Sequence, residues 1–363
     1  MKTLIIIIFI TLLGFFGIKN NVQIVAQITK TEMEKFKTSP NYKDGKFVNL
    51  EETPVMNPNS STFKIMKEFM KKGENREPNS ILNTQKFDKA EFLSHSKGVS
   101  YAWFGHSTVL LNIDGVIVLC DPFFGERASP VSFAGTKKFA YSNDVTVDEM
   151  PNIDFVLISH DHYDHLDAKT IKELDSKIKK YIVPLGVGLH LKKWNVNADK
   201  IIELDWWDNY QPDSLCKITL TPSRHFSGRA LKRNTTLWGS FAIKINKHNI
   251  YFSGDSGYGK HFIEIGKKLG PFDLTFLECG QYNEDWSLIH MNPAETYKAF
   301  KDLKGTKMTP LHWGKFKLSL HAWTEPVELL LKESNGDAEQ IVIPEIGEIV
   351  RLNSTNKMNY WWK

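Results

Sequence analysis

Cysteine is scarce, with only Cys120, Cys216 and Cys279 in a chain of 363 residues. So odd and sparse a count excludes a disulfide framework. Each cysteine adjoins an apolar run, the context of a small buried side chain. No Gly-x-Ser-x-Gly turn occurs, so a serine nucleophile mounted on a sharp elbow is not expected. Charge of one sign is missing too: 46 Lys and Arg face 42 Asp and Glu, for a formal +4. With no basic stripe or Arg-rich arm, nucleic acid is excluded as an expected partner, although a mildly basic surface still tolerates anionic lipid. There is no internal repeat and no low-complexity tract. The one prominent early apolar run, Leu4 to Ile18 behind Met1-Lys2, is the length of a signal-peptide core and short for a membrane span. Residues 1–26 are therefore expected to be a secretory signal or an N-terminal membrane anchor. The protein is expected to be exported, periplasmic or membrane-associated. No cysteine adjoins this segment, so lipoprotein attachment is excluded.

Residues 27–95 are polar and rich in Asn, Lys, Ser and Pro. They read as an extended N-terminal arm, with one helical spacing, Phe63 to Met70, expected to pack on the main domain. From Val99 the texture changes, and 96–355 reads as one large domain. Strand-like runs occur at Ser100–Phe104, Ser107–Ile113, Val116–Cys120, Phe155–Ile158, Tyr181–Val183, Ile218–Leu220, Trp238–Ile245, Ile250–Phe252 and Leu274–Leu277. Asp114-Gly115 between two of them signals a tight hairpin. Helical patterns are interleaved at Asp167–Ile178, Gly186–Lys193, Lys260–Leu269, Pro293–Leu303 and Trp323–Glu333, the fourth opened by an Asn292 cap and Pro293. Hairpins together with helices imply an α/β fold: two mixed sheets face to face, flanked by helices.

The chemistry concentrates in His160-Asp161-His162-Tyr163-Asp164-His165, which follows the apolar run Ile153–Leu157. Alternate side chains at a strand end share a face, so His160 and His162 point together. The loop beyond can swing Asp164 and His165 alongside. Imidazole mixed with carboxylate suits zinc, and iron and manganese also accept it. Three further residues each follow a short apolar run: His225, Asp255 and His312. Seven ligands divide between two metals. His160, His162 and His225 would hold the first, Asp164, His165 and His312 the second, and Asp255 would bridge. Two divalent ions about 3.5–4 Å apart acidify water and polarise a phosphoryl or carbonyl oxygen, so no protein nucleophile is needed. Asp164 would double as the group that orients the attacking water.

This ligand pattern resembles the metallo-β-lactamase fold of binuclear zinc hydrolases, an αββα sandwich. The segments Trp103–Leu110, Asp121–Phe124, Arg127–Pro130, Glu203–Trp207, Leu237–Ser240, Gly254–Tyr258 and His312–Gly314 are similar to N-acyl-phosphatidylethanolamine-hydrolysing phospholipase D over roughly residues 95–350. That resemblance implies a zinc-dependent phosphodiesterase with two Zn2+ per chain, acting on phospholipid at a membrane surface to release phosphatidic acid and an N-acylethanolamine. The segment Glu278–Trp286 departs toward bacterial relatives, and the arm matches poorly. Two rival readings remain at this level: a hydrolase of the same fold acting on a soluble lactone or cyclic phosphodiester, and a non-catalytic metal-binding scaffold.

Other histidines have weaker signals. His290, just ahead of the Asn292-Pro293 helix start, is a candidate general acid or a helix-capping residue. His106 and His321 are candidates for contacting substrate, His106 equally for a structural hydrogen bond. The pair Trp206-Trp207 reads as core. The terminal Tyr360-Trp361-Trp362 reads as tail packing or as a membrane-interface belt.

Overall fold

The computed structural model describes residues 28–354 and 358–363, except 72, 132, 230 and 231. The apolar run Leu4–Ile18, and with it the signal or anchor expectation for 1–26, lies outside the described residues. Among the described residues, no helix is long and apolar enough to cross a membrane.

Two sheets stack face to face. The first is built from β1 (Val99–Trp103), β2 (Val109–Ile113), β3 (Val116–Cys120), β4 (Ile153–Leu157), β5 (Ile178–Pro184) and β6 (Ile201–Leu204). The second holds β7 (Asn209–Tyr210), β8 (Cys216–Thr221), β9 (Ser240–Ile245), β10 (His248–Phe252), β11 (Phe272–Glu278) and β12 (Gly305–Leu311), and β13 (Ile349–Arg351) returns to the first. The strand orders are β6-β5-β4-β3-β2-β1-β13 and β7-β8-β9-β10-β11-β12. Pairing is parallel from β3 to β6 and from β10 to β12, and antiparallel elsewhere. Asp114 and Gly115, both with positive φ, close the β2–β3 hairpin in the geometry that suits the twist of paired strands.

Period-two alternation explains the layers. In β3 and β4, Val118, Cys120 and Leu157 point into the sandwich core, while Leu119 and Val156 point into a second core under the outer helices. That second core is completed by α3 (Lys89–Ser94), α4 (Ala168–Leu174) and α5 (Gly188–Lys193), through Phe92, Ile171 and Leu191. On the far side, α6 (His261–Lys268), α7 (Pro293–Asp302) and α8 (Glu325–Glu333) close the second sheet with Phe262, Phe300 and Val327. The architecture is the expected αββα sandwich. All three cysteines are free and buried.

The arm is less detached than its composition implies. Helix α1 (Lys30–Phe36) and the short hairpin Tyr42–Lys43/Lys46–Phe47 bury Phe36 and Phe47 in the main core. Helix α2 (Thr62–Met70) buries no residue and touches the body through Phe69, which stacks on Trp286 at 6.3 Å. The helix expected over Asp167–Ile178 stops at Leu174, and a single 3-10 turn, Asp175–Lys177, leads directly into β5. Trp206 is buried and donates its indole N–H to the Trp238 carbonyl at 2.6 Å. Trp361 stacks on Trp313 at 5.4 Å, and Trp362 is buried beside it. The terminal tryptophans therefore pack the tail rather than form an exposed interfacial belt.

Candidate metal centre

The expected ligands come from four loops, each leaving the C-terminal end of a strand. After β4, the turn His162–Leu166 is closed by backbone bonds from His165 and Leu166 to the His162 carbonyl, and Asp167 then caps α4. The turn is held from beneath by a buried Arg229, whose guanidinium donates to the carbonyls of Asp161 (2.8 Å) and Leu166 (2.5 Å). The Asp161 carboxylate accepts from Gly228 N–H at 2.7 Å and faces His190 at 3.4 Å. His225 follows β8, Asp255 follows β10 and His312 follows β12. His106 and His312 both lie at positive φ, 55° and 67°, and exchange backbone bonds across the two sheets: His312 N–H to the His106 carbonyl, and His106 N–H to the Trp313 carbonyl, each at 2.9 Å. Non-glycine residues rarely adopt this region, and it recurs where a site over-determines the backbone. Ahead of Asp255, Gly254 has φ +54, and a Cβ there would come within 2.4 Å of Ser159 Cβ.

All seven expected ligands converge, in two groups. In the first, His162 Nδ1 lies 2.9 Å from His160 Nε2 and 3.3 Å from His225 Nε2. In the second, Asp164 Oδ2 lies 3.4 Å from His165 Nε2 and 3.5 Å from His312 Nε2. Asp255 Oδ2 stands between them, 3.7 Å from Nε2 of both His160 and His225 and 3.2 Å from Nε2 of both His165 and His312. The opposite ring nitrogens are tied back. His165 Nδ1 bonds Asp121 (2.7 Å), His160 Nδ1 bonds the Ser159 hydroxyl (2.8 Å), and the Nδ1 atoms of His225 and His312 face the carbonyls of Ile289 (2.9 Å) and Gly280 (3.3 Å). This tie leaves the Nε2 lone pairs pointing inward, the second layer that orients metal-ligating imidazoles.

These residues fit a pair of cations. His165 Nε2, His312 Nε2 and Asp255 Oδ1 are buried without a hydrogen-bond partner, a costly state unless something else satisfies them. The charges agree. Burial opposes protonation of His165, yet the carboxylates of Asp255, Asp164 and Asp121 outweigh it and draw its pKa well above the ordinary value. Burial likewise pushes Asp164 and Asp255 up, and the surrounding histidines together, His165 and His312 among them, more than offset it, holding both well below the carboxylate range. His160 and His225 are forced toward the neutral form by burial. Such a cluster wants positive charge beside its carboxylates and offers bare imidazole nitrogens, the conditions a divalent ion meets.

The remaining candidates take distinct places. His106 is buried with its pKa pushed down to about 3, by burial first and His312 next, and its Nε2 is 2.8 Å from Asp164 Oδ2. It therefore steadies Asp164. His290 stacks on His312 with ring centres 5.1 Å apart, and its Nδ1 is 2.5 Å from Glu278. His321 does not join the cluster: its Nε2 accepts from Gln281 N–H at 2.9 Å and its Nδ1 bonds the Ala322 carbonyl at 2.8 Å.

Four groups went unread. Asp121 also binds Ser159 N–H (2.7 Å) and hydroxyl (2.5 Å), and Glu278, buried, accepts from Ser256 N–H as well as holding His290. Both directly end apolar strands, β3 and β11, the same context that singled out Asp255. Asn49 and Arg229 had no local signal. Asn49 grips His225 from the arm, donating to its carbonyl at 2.7 Å and accepting from its N–H at 3.1 Å.

A beta-lactamase superfamily domain model matches residues 117–313. An uncharacterized protein of Mycobacterium tuberculosis is 40% identical over 330 residues, covering 90% of this chain and 88% of its own. N-acyl-phosphatidylethanolamine-hydrolyzing phospholipase D 1 of Caenorhabditis elegans is 34% identical over 277 residues, covering 71% of this chain and 77% of its own. Among solved structures, the metallo hydrolase Igni18 of Ignicoccus hospitalis superposes with a TM-score of 0.55 at 20% identity, over 69% of this chain and 97% of that one.

Proposed function

The chain belongs to the beta-lactamase superfamily of metallo-hydrolases, and from that premise we propose that it is a binuclear zinc phosphodiesterase of phospholipase D type. Its substrate is N-acyl-phosphatidylethanolamine or a related phospholipid, and its products are phosphatidic acid and an N-acylethanolamine. One observation carries the binuclear reading: Asp255 Oδ2 stands within 3.7 Å of four imidazole nitrogens that fall into two groups. His160, His162 and His225 would hold one ion, Asp164, His165 and His312 the other, and Asp255 would serve both. The choice of a phosphodiester is supported by the similarity to the nematode enzyme.

Bound divalent ions supply Lewis acidity, acidifying water and polarising the phosphoryl oxygen. The chain's own groups do the rest. Asp164, held by His106 at 2.8 Å, orients the attacking water toward phosphorus. As the new P–O bond forms, the bond to the ethanolamine oxygen breaks. His290, its Nδ1 tied to Glu278, has Nε2 left to deliver a proton to that leaving alkoxide. The apolar run Leu4–Ile18 supports export and work at a membrane surface.

The test is to incubate zinc-loaded protein with phospholipid bilayers, lactones and cyclic nucleotides and to identify products by mass spectrometry. Phosphatidic acid and N-acylethanolamine in equal amounts are expected. Faster turnover of a soluble lactone or cyclic diester than of any bilayer lipid would falsify the phospholipase assignment.

A further inference from the structure

Helix α2 presents apolar side chains to solvent. Its nine residues begin at a Ser61 cap, and Phe63, Met66 and Met70 are 72%, 56% and 82% exposed. Spaced i, i+3, i+7, these three form one stripe along the helix. Lys64, Lys67 and Lys71 repeat the same spacing one residue on, so a basic row runs along the flank of the apolar one. Lys71 pairs with Glu68 at 2.6 Å, while Lys64 and Lys67 make no ion pair among the described residues.

So short a helix is marginal by itself in water, and the body holds this one by other faces. Phe69 stacks on Trp286, and Arg76 ties the Glu68 carbonyl (2.8 Å) to the Leu320 carbonyl (3.1 Å). Ahead of the helix, Asn57 N–H donates to the Asp285 carbonyl at 2.7 Å and Ser60 bonds the Asp285 side chain. The loop so gripped, 281–289, leads into His290, and its Gln281 bonds the carbonyls of His312 and Phe316. The stripe is therefore anchored to the loops that carry two groups of the centre.

We infer that α2 is an interfacial docking helix, which lays Phe63, Met66 and Met70 into an anionic bilayer while Lys64, Lys67 and Lys71 meet lipid phosphates. Parallel apolar and lysine rows are the signature of helices lying in the membrane plane. The overall +4 charge complements an anionic surface. A contiguous apolar stripe kept in water has no folding role to explain it. The inference rests on the phospholipid reading for its purpose but not for its test.

In the full chain, Met66→Cys is labelled with an environment-sensitive nitrobenzoxadiazole group, the three native cysteines being buried. Phosphatidylcholine vesicles containing phosphatidylglycerol should shift its emission to the blue, and phosphatidylcholine alone should do so much less. Lys64→Gln with Lys67→Gln should weaken this binding more than about tenfold. Phe63→Ser with Met70→Ser should weaken it about a hundredfold and slow hydrolysis of bilayer lipid, while sparing hydrolysis of a monomeric short-chain phosphodiester. No spectral shift on either vesicle overturns the inference, even if the chain sediments with them through another segment. A shift that grows with protein concentration without vesicles overturns it in favour of a second copy. The fluorescence needs no turnover, so an inactive protein that still shifts refutes the phosphodiesterase reading alone.

Discussion

Replacing Asp255 with Asn tests the centre most directly, because it changes one charge and almost no volume. Asp255 Oδ2 lies within 3.7 Å of nitrogens from both groups, so both sites should feel its loss. A unit charge about 4 Å from another contributes about 4 kcal/mol at the effective dielectric of a protein site. A divalent ion doubles that, and the cost of dehydrating ion and carboxylate cancels a large part. About 4 kcal/mol per ion therefore remains, which lowers each affinity about a thousandfold. The Asn variant should retain its circular dichroism. Dialysed against a buffered zinc concentration that saturates the wild type, it should lose both ions together by elemental analysis, with turnover down by orders of magnitude. Retention of both ions at near-normal rate, or loss of one ion alone, would refute the bridging role.

Four further outcomes are expected. His290→Ala should slow hydrolysis of esters with alkoxide leaving groups by about 10²–10⁴ and barely affect an activated aryl ester; equal losses on both would remove His290 as the proton donor. Lys315 is buried, its ammonium bonded to the carbonyls of Phe104 (3.2 Å) and Phe123 (2.7 Å), and burial pushes its pKa down to about 7. The unfolded chain then binds the extra proton, so the penalty is full below about pH 7 and is relieved as pH rises toward the unfolded value near 10.4, by about 4 kcal/mol; urea unfolding should show this gain in the wild type and not in Lys315→Met. Asn49→Ala, which frees the backbone of His225, should weaken zinc about tenfold in a chelator competition with little change in Tm, and unchanged affinity would make the arm's grip incidental. Trp362→Ala should cost about 3 kcal/mol in the same unfolding assay, whereas a tail that served only as a membrane belt would show no loss.

Legibility in the sequence followed burial. The central strands, buried on both faces, read as continuous apolar runs and were located to within a few residues, together with the Asp114-Gly115 hairpin. Those not read as strands are the edges. β6 and β13 flank the first sheet, and β7 and β12 flank the second. An edge strand has one unpaired side and often half-exposed faces, so its residues are mixed: Glu203 in β6, Asn209 in β7, Arg351 in β13. β12 even carries Pro310, which an edge tolerates because it has no N–H to give on the unpaired side. Helix α2 is where the sequence expected it and rests on the body through Phe69, but its apolar stripe is left uncovered. Its amphipathic spacing was real, but periodicity says that one face is apolar and not what covers it.

For the site, the sequence alone picked out the candidate ligands: the His160–His165 cluster, and a polar group closing each of several apolar strands. The same rule extended to Asp121 and Glu278 would have found the anchors of His165 and His290. Only the tertiary structure decided how the ligands sort into two groups, that Asp255 stands between them, and that His106 faces Asp164 through a left-handed bridge to His312. It also decided that Asn49, 176 residues before His225, holds that histidine in place. The physical reason is one of range. Side-chain periodicity records which face of a strand is buried, a property of the strand and its neighbours. Convergence of loop ends depends on strand order, register and the stacking of two sheets, which no local run of residues encodes.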